Sequence, residues 1–330
     1  MIFSHSFAVT GLSEPQIISG YSVGSLAVSV FFSLSGYLVF QSLERDPNFH
    51  HFLAKRGLRV FPGLLVMLFV TILICSISTT IPITDYFSRS KTWEYLGKIK
   101  LWGNDRLPGV FDNNAYAHTV NGSLWSLKWE WLMYCILAAI GFLPRRWWTP
   151  VIFISAFLSI AITKITTSPF IVNTVPLLQH ISSSQNPFPL ASFFLVGAFI
   201  SIRKFRTHCK INSPFVWFIS GITGILLAVH QPVIALSLLV PIIIVIVGES
   251  SFSATMGFEI KHDLSYGLYI YAFPIQQSIV AFWPHTSWWE IFLLATPITT
   301  VMAFLSWHYV EKPALQLKAH LRSLPYKKLI

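Results

Sequence analysis

The sequence predicts an all-α, polytopic membrane protein: a bundle of about ten transmembrane helices with the first one incomplete. Two observations carry that prediction. Charged residues make up only 11% of the 330 residues while 54% are hydrophobic, against about 25% charged in an ordinary soluble domain. The apolar residues also fall in blocks, among them FPGLLVMLFVTILICSI, WLMYCILAAIGFL and IALSLLVPIIIVIVG. These approach or reach the ~20 residues that cross a hydrocarbon core. With a mean hydropathy of +0.61, soluble classes are excluded.

In chain order, the apolar blocks place spans at roughly 1–11 (partial), 22–41, 60–80, 124–143, 148–166, 188–203, 214–230, 233–248, 264–284 and 290–310. The first, MIFSHSFAV, lacks a basic leader and a small-residue cleavage site, so it does not read as a cleaved signal peptide. The connecting segments alternate in charge. One set holds Arg45, Lys55, Arg56, Arg59, Arg145, Arg146, Arg203, Lys204, Arg206, Lys210, Lys261, Lys312, Lys318, Arg322, Lys327 and Lys328. The opposite set holds Arg89, Lys91, Lys98, Lys100, Arg106, Lys128 and Lys164, five of them in the long segment 81–123, and long loops count least for orientation. The richer set is therefore expected on the cytoplasmic side, with both termini inside.

That charge pattern also accounts for the net charge of +10, so no nucleic-acid partner is expected. The chain reads as a single membrane-embedded domain over 1–330, without internal repeats, an appended soluble domain or an evident obligate protein partner. Segment 81–123 is the one sizeable outer loop, with turn-forming GNDRLPG and FDNN stretches and room for a short helix or two. The basic tail 312–330 serves as a topology signal and could also rest on anionic membrane lipid. Cys75, Cys135 and Cys209 match no metal or redox spacing and read as packing residues. The eleven histidines include no HExxH pattern, so no metal is expected.

Ionisable residues inside spans are costly, and each is a candidate functional residue. His5 lies on the first span and Glu130 on the fourth, within NGSLWSLKWEWLMY beside Trp125, Trp129, Trp131 and Tyr134. A carboxylate at that depth needs a partner, and imidazole is one; a lone histidine is otherwise explained by a bond to a helix carbonyl. In FLAKRGLRVFPGLL, Lys55, Arg56 and Arg59 are spaced three and four apart, on adjacent faces of one helical turn. They suit a polyanionic ligand such as the phosphates of coenzyme A, although positive-inside anchoring produces the same cluster. In VFFSLSGYLVFQSL, Ser33, Ser35 and Gly36 favour close helix packing, and their hydroxyls could also line a polar cavity.

The stretches FSHSF, FFSLSGYLVFQSL, FLAKRGLRVFPG, NGSLWSLKWEWLMY, DLSYGLYIYAFPIQQ and SWHYVEKPALQLK follow one another in order. Together they resemble the acyltransferase 3 family of integral membrane acyltransferases, which includes O-antigen and exopolysaccharide O-acetylases. The resemblance runs from residue 3 to about 318. It implies an O-acyltransferase of the bacterial inner membrane, taking an acyl group, preferentially acetyl, from cytoplasmic acetyl-CoA to a hydroxyl of a lipid-linked or cell-surface glycan.

Residue by residue, the resemblance makes His5 the catalytic histidine and Glu130 the acidic partner. It assigns Arg56 and Arg59, with Lys55 beside them, to the acyl donor. Ser35 and Gly36 match the Ser-Gly-Tyr element, Tyr266, Tyr269 and Pro274 the ninth-span signature, and Glu311 and Pro313 a structural closing motif. Ser35, Trp125, Tyr266 and Tyr269 become candidate substrate-binding residues, with the aromatic residues of loop 81–123 suited to stacking on sugar rings.

One departure stands out. Family members carry an arginine eleven residues before the histidine, a position that would precede Met1. Residues 1–10 also cover only about half of a ~30 Å core, so a misplaced start or a truncated gene is expected. Two other readings stay open: a carrier or flippase for glycan or small solute using the same polar interior, and an inactive, shortened paralogue.

Overall fold

The computed structural model describes residues 1–18, 20–168, 172, 186–202, 205, 213–249 and 262–318. The expected cytoplasmic cations Arg203, Lys204, Arg206, Lys210, Lys261, Arg322, Lys327 and Lys328 lie outside the described residues, as do Cys209 and the tail beyond Lys318.

The regular secondary structure of the described residues is helical but for one small hairpin and an isolated bridge between Thr79 and Val110. Helix α1 (Ile2–Val9) is followed by the antiparallel strands β1 (Gln16–Ile18) and β2 (Tyr21–Ser22), which the apolar pattern does not announce. Then come α2 (Val23–Arg45) and α3 (Phe49–Ser78), with α4 (Ile83–Ser88) and α5 (Ser90–Glu94) in segment 81–123. Helices α6 (Leu127–Ile140), α7 (Trp148–Thr167), α8 (Pro187–Ser201), α9 (Pro214–Ala228) and α10 (Pro232–Glu249) follow. The chain closes with α11 (Ser265–Phe282), α12 (Trp288–Ser306), a π-turn over Trp307–Glu311 and α13 (Lys312–Gln316).

Local chemistry sets many of these boundaries. Ser22 caps α2 by accepting from the Ser25 amide at 3.1 Å. Asn186 and Ser213 cap α8 and α9, each with proline at the first helical position, where its missing N–H costs nothing. Ser287 and Glu290 form a capping box at α12. Ahead of α6, the expected span 124–143 opens as a 3₁₀ turn, Gly122–Ser126, because the Asn121 side chain accepts the Ser123 amide.

Four helical stretches among the described residues are long and apolar enough to cross a membrane: Val23–Arg45, Phe49–Ser78, Arg145–Thr167 and Trp288–Gln316. Pro187–Ser201, Pro214–Ala228 and Pro232–Gly248 are apolar but shorter. At 1.5 Å per residue a 15-residue helix covers only ~22 Å of a ~30 Å core. The eight residues of α1 cover only ~12 Å. Among the described residues the structure thus supports a polytopic helical bundle with four helices of full spanning length, alongside the sequence expectation of about ten spans with the first incomplete. Leu65, Phe69, Leu73 and Ile77 form an exposed stripe on α3, as do Phe153, Ile154, Phe157 and Leu158 on α7. Apolar surface on that scale belongs against lipid.

The chain divides into two compact units. Unit 1 comprises Met1–Pro15, Leu53–Lys128 and Ile260–Ile330; unit 2 comprises Gln16–Phe52 and Trp129–Glu259. In unit 1, α1 packs on both α11 and α12, which pack on each other. Segment 81–123 folds onto α3 through buried Tyr86, which donates to the Ile72 carbonyl at 3.1 Å, and within the segment buried Lys98 pairs with Asp105. In unit 2, α8 is buried along nearly its whole surface, against α2, α7 and α10.

Candidate active site

An eight-residue helix does not hold itself in place, so the position of His5 is set by what α1 packs against. Phe3 and Phe7 are four residues apart and share one face. Phe7 stacks on Trp288 of α12 at 4.4 Å and 18°, and Phe3 meets Trp288 and Phe292 edge-on at 5.6 and 5.8 Å. Another face of α1 meets α11. There the buried Gln276 amide donates to the Ile2 carbonyl and to Ser6 Oγ, both at 2.8 Å. Its N–H donors tie α1 to α11 on either side of His5, while its Oε1 has no partner among the described residues.

The imidazole lies edge-on to Phe273 of α11, with ring centroids 5.1 Å apart. Its Nδ1 is enclosed and has no hydrogen-bond partner among the described residues. Phe273 also meets Tyr116 of the outer loop at 5.6 Å. Gly122 of the NGSLW stretch lies so close that a Cβ there would sit 2.9 Å from the Phe273 ring. Asn121 donates to the Ile270 carbonyl at 2.8 Å, which fixes that stretch on α11.

The cations of α3 form a second centre in unit 1. Lys55 is buried, and Lys318, just beyond the last span, is pushed down to about 8 by burial and then by the charges of Arg56, Arg59 and Lys55. Positive charge therefore predominates around Lys318. Arg59 is also the hub of an ion-pair network: Nη1 donates to Glu311 at 2.8 Å and Nη2 to Asp263 at 2.7 Å. Its guanidinium lies over the rings of Tyr266 and Trp307, at 5.6 and 5.9 Å. Only 1% of the Glu311 side chain is exposed, and Ser306 Oγ donates to its other oxygen at 2.9 Å. Glu311 ends the π-turn, a local widening that is frequent at functional places in helices.

Glu130 belongs to unit 2. It is buried, and its Oε1 accepts from Tyr134 and, at 3.3 Å, from Ser35 Oγ, with Ser35 and Tyr134 themselves 3.1 Å apart. Gly36, beside Ser35, makes the close approach expected of it: a Cβ there would fall 1.9 Å from the Phe194 carbonyl oxygen of α8.

The remaining candidates serve as ties. Tyr266 donates to the Val60 carbonyl at 2.8 Å; Tyr269 bonds the Ser123 carbonyl and, at 2.7 Å, Ser126. Trp125 is half-buried in the 3₁₀ turn. The structure thus gathers His5, Lys55, Arg56, Arg59, Trp125, Tyr266 and Tyr269 into unit 1 and Ser35 and Glu130 into unit 2.

Sequence reasoning missed Gln276, Gln277 and Asp263. The first two carry a usable signal, adjacent amides in an otherwise apolar helix, which is the same expensive polarity that singled out the charged residues. Asp263, on the segment before α11, carries none.

The family model for an acyltransferase domain matches residues 1–308. The chain belongs to the acyltransferase 3 family. It is an integral membrane acyltransferase of that family. It is 26% identical over 318 residues to a protein of Shigella phage Sf6 named O-acetyl transferase, covering 94% of this chain and 91% of the relative. It is 25% identical over 359 residues to Nodulation protein 10 of Rhizobium leguminosarum bv. viciae, covering 97% of this chain and 91% of that one. No solved structure matches the chain. Within the acyltransferase 3 match lie His5, the α3 cations, Glu130 and the tyrosines of α11; Glu311 and Lys318 follow it.

Proposed function

We propose that the protein is an acetyl-CoA-dependent O-acetyltransferase acting on a hydroxyl of a lipid-linked or cell-surface glycan, with His5 as the catalytic base. The observation that carries the reading is the state of His5. Its Nδ1 has no bond to a helix carbonyl, which is the ordinary reason for a histidine in a span, while a neighbouring glutamine holds its helix in place. The name of the phage relative supports acetyl as the group moved.

The chemistry follows from a neutral imidazole, the form in which one ring nitrogen can accept a proton. The imidazole takes the proton of the acceptor hydroxyl as its oxygen attacks the thioester carbonyl. The new C–O bond forms, the C–S bond breaks, and the imidazolium returns its proton to the leaving thiolate. Neither metal nor redox cofactor enters this scheme. The donor's phosphates go to the cation cluster of Lys55, Arg56 and Lys318. Arg59, engaged by Glu311 and Asp263, shapes the cluster and holds the π-turn. Glu130 enters the reading as the second candidate catalytic residue, held ready by Ser35 and Tyr134. In this reading the cation-rich side and both termini face the cytoplasm of a bacterial inner membrane, and the outer loop faces the acceptor.

The test is transfer from labelled acetyl-CoA in membranes. His5→Ala and His5→Gln are each expected to lower turnover by roughly 10²–10⁴-fold with the protein still inserted and folded. Unchanged turnover removes His5 from the chemistry. Glycan movement without turnover in the wild type makes the protein a carrier.

A further inference from the structure

We infer that a cavity at the end of α1 binds the acceptor as a neutral sugar ring; this rests on the acyl-transfer reading and assigns its acceptor subsite. The cavity, of about 340 Å³, lies wholly in unit 1 and is of the size of small-ligand pockets, about 300–1,000 Å³. Four segments wall it: the end of α1 at Val9 and Thr10, the end of α3 with Ser78 and Thr80, loop residues 111–115, and the α11–α12 link through Thr286.

Its place relative to the reactive group follows from helix geometry. Val9 is four residues beyond His5, on the same face of α1 and one turn along. Thr10, five residues on, is ~7.5 Å further along the axis, a distance a single sugar ring with its hydroxyl can span. The loop comes this close because Gly11 has no side chain: a Cβ there would lie 3.2 Å from the Cβ of Ala115.

The lining chemistry selects the ligand. Hydroxyls come from Thr10, Ser78, Thr80 and Thr286, a free-ended amide from Asn113 and a carboxylate from Asp112. Each of the four hydroxyls already donates to a backbone carbonyl and so presents an acceptor oxygen. With the Asp112 carboxylate they accept from the hydroxyls of a sugar ring, and the Asn113 amide supplies a donor. Phe111, Val280 and Ala281 supply apolar wall for the C–H face of a sugar. The basic side chain on the wall is His285, beside the Asp112 carboxylate in the same lining, and neither lysine nor arginine lines the cavity, in contrast to the cation cluster on α3 that suits phosphate.

The walls are also fixed. Asp112 is held by His118 Nδ1 at 2.9 Å. Gln277, adjacent to the glutamine that anchors α1, donates to the carbonyls of Tyr116 and Thr119 at 2.7 and 2.8 Å. It accepts from Asn114 at 2.9 Å. One pair of neighbouring residues on α11 thus sets both the reactive helix and the cavity loop. The exposed tryptophans of segment 81–123, expected to stack on sugar, do not line the cavity.

The experiment uses the full chain in lipid nanodiscs and saturation-transfer NMR, which needs no acyl donor. The probes are the methyl glycosides of glucose, galactose and mannose, with methyl glucuronide as the anionic comparison. At least one neutral glycoside is expected to bind, and more tightly than the glucuronide. Asn113→Trp and Thr286→Trp, on separate walls, fill the cavity and are each expected to weaken that binding about tenfold or more. Should one variant fail to fold, the other decides. Absence of binding by every neutral glycoside, binding indifferent to both tryptophans, or preference for the glucuronide overturns the assignment. If glycosides bind here and His5 proves dispensable for transfer, the cavity stands and the catalytic reading falls.

Discussion

The two units solve the same packing problem differently. Unit 2 brings helices together by removing side chains: Gly36 of α2 faces the Phe194 carbonyl, and Gly197 of α8 faces the Ser33 carbonyl, where Cβ atoms would lie 1.9 and 2.3 Å from oxygen. Among the described residues of unit 1, Gly267 of α11 approaches backbone in this way, at Ala303 of α12, while Gly63, Gly109 and Gly122 approach side chains. Its distinguishing feature is long-range polar ties: Arg59 to Glu311 and Asp263, Gln276 to α1, and Gln277 and Asn121 between loop and helix. Small-residue contacts let helix backbones approach closely. Polar ties hold individual atoms in place; most of them gather in the unit that carries His5, while unit 2 has one of its own, the bonds from Ser35 and Tyr134 that hold Glu130.

The comparison is broken most forcefully at Arg59. Arg59→Ala leaves Glu311 buried without its guanidinium, which costs about 3–5 kcal/mol for a buried ion pair. Its checkable outcome is a loss of folded protein in detergent thermal unfolding, and Arg59→Lys, lacking the two-pronged donor, should recover only part of it. Next is Gly36→Ala in unit 2. The new methyl meets backbone that cannot rotate away, and an overpacking cost of about 2–3 kcal/mol is expected, read by the same unfolding assay.

A milder perturbation sharpens the contrast. Gln277→Leu strips donors from the Tyr116 and Thr119 carbonyls, at about 2 kcal/mol. Hydrogen exchange should accelerate in loop residues 111–119 while α2 and α8 keep their protection. The smallest effect is one of pH. Lys318, with its pKa lowered to about 8 by burial and the neighbouring α3 cations, is charged below that value and neutral above it. In the proposed reading the donor's phosphates then lose one partner as pH rises from about 7 to 9, and KM for acetyl-CoA should climb about threefold. Lys318→Arg should flatten that rise.

Much of this architecture is legible in the sequence. Apolar blocks place α2, α7 and α12 within a few residues and the end of α3 likewise, though α3 begins eleven residues before the expected span; the price of intramembrane charge points to His5, Glu130 and Arg59. Gly36 is read correctly as a packing residue from the company of Ser33 and Ser35. What stays hidden are pairings across long separations. Arg59 meets Asp263 and Glu311 more than 200 residues away, and no local spacing encodes which carboxylates a cation will find. Gln276 shows the same limit: its polarity is visible, its partner on α1 is not. Helix length misleads for another reason, since an apolar run marks burial or lipid contact equally well, and α8 is buried within protein.

The paired amides at 276 and 277 have a mechanical consequence. Successive residues on an α-helix point about 100° apart, so α11 reaches α1 with one side chain and the loop with the next. A single-residue insertion just upstream would swing both arms through that angle together. The imidazole and the sugar-sized hollow would be misplaced in one stroke, with the helix itself intact. Their mutual distance is therefore written into the phase of one rod.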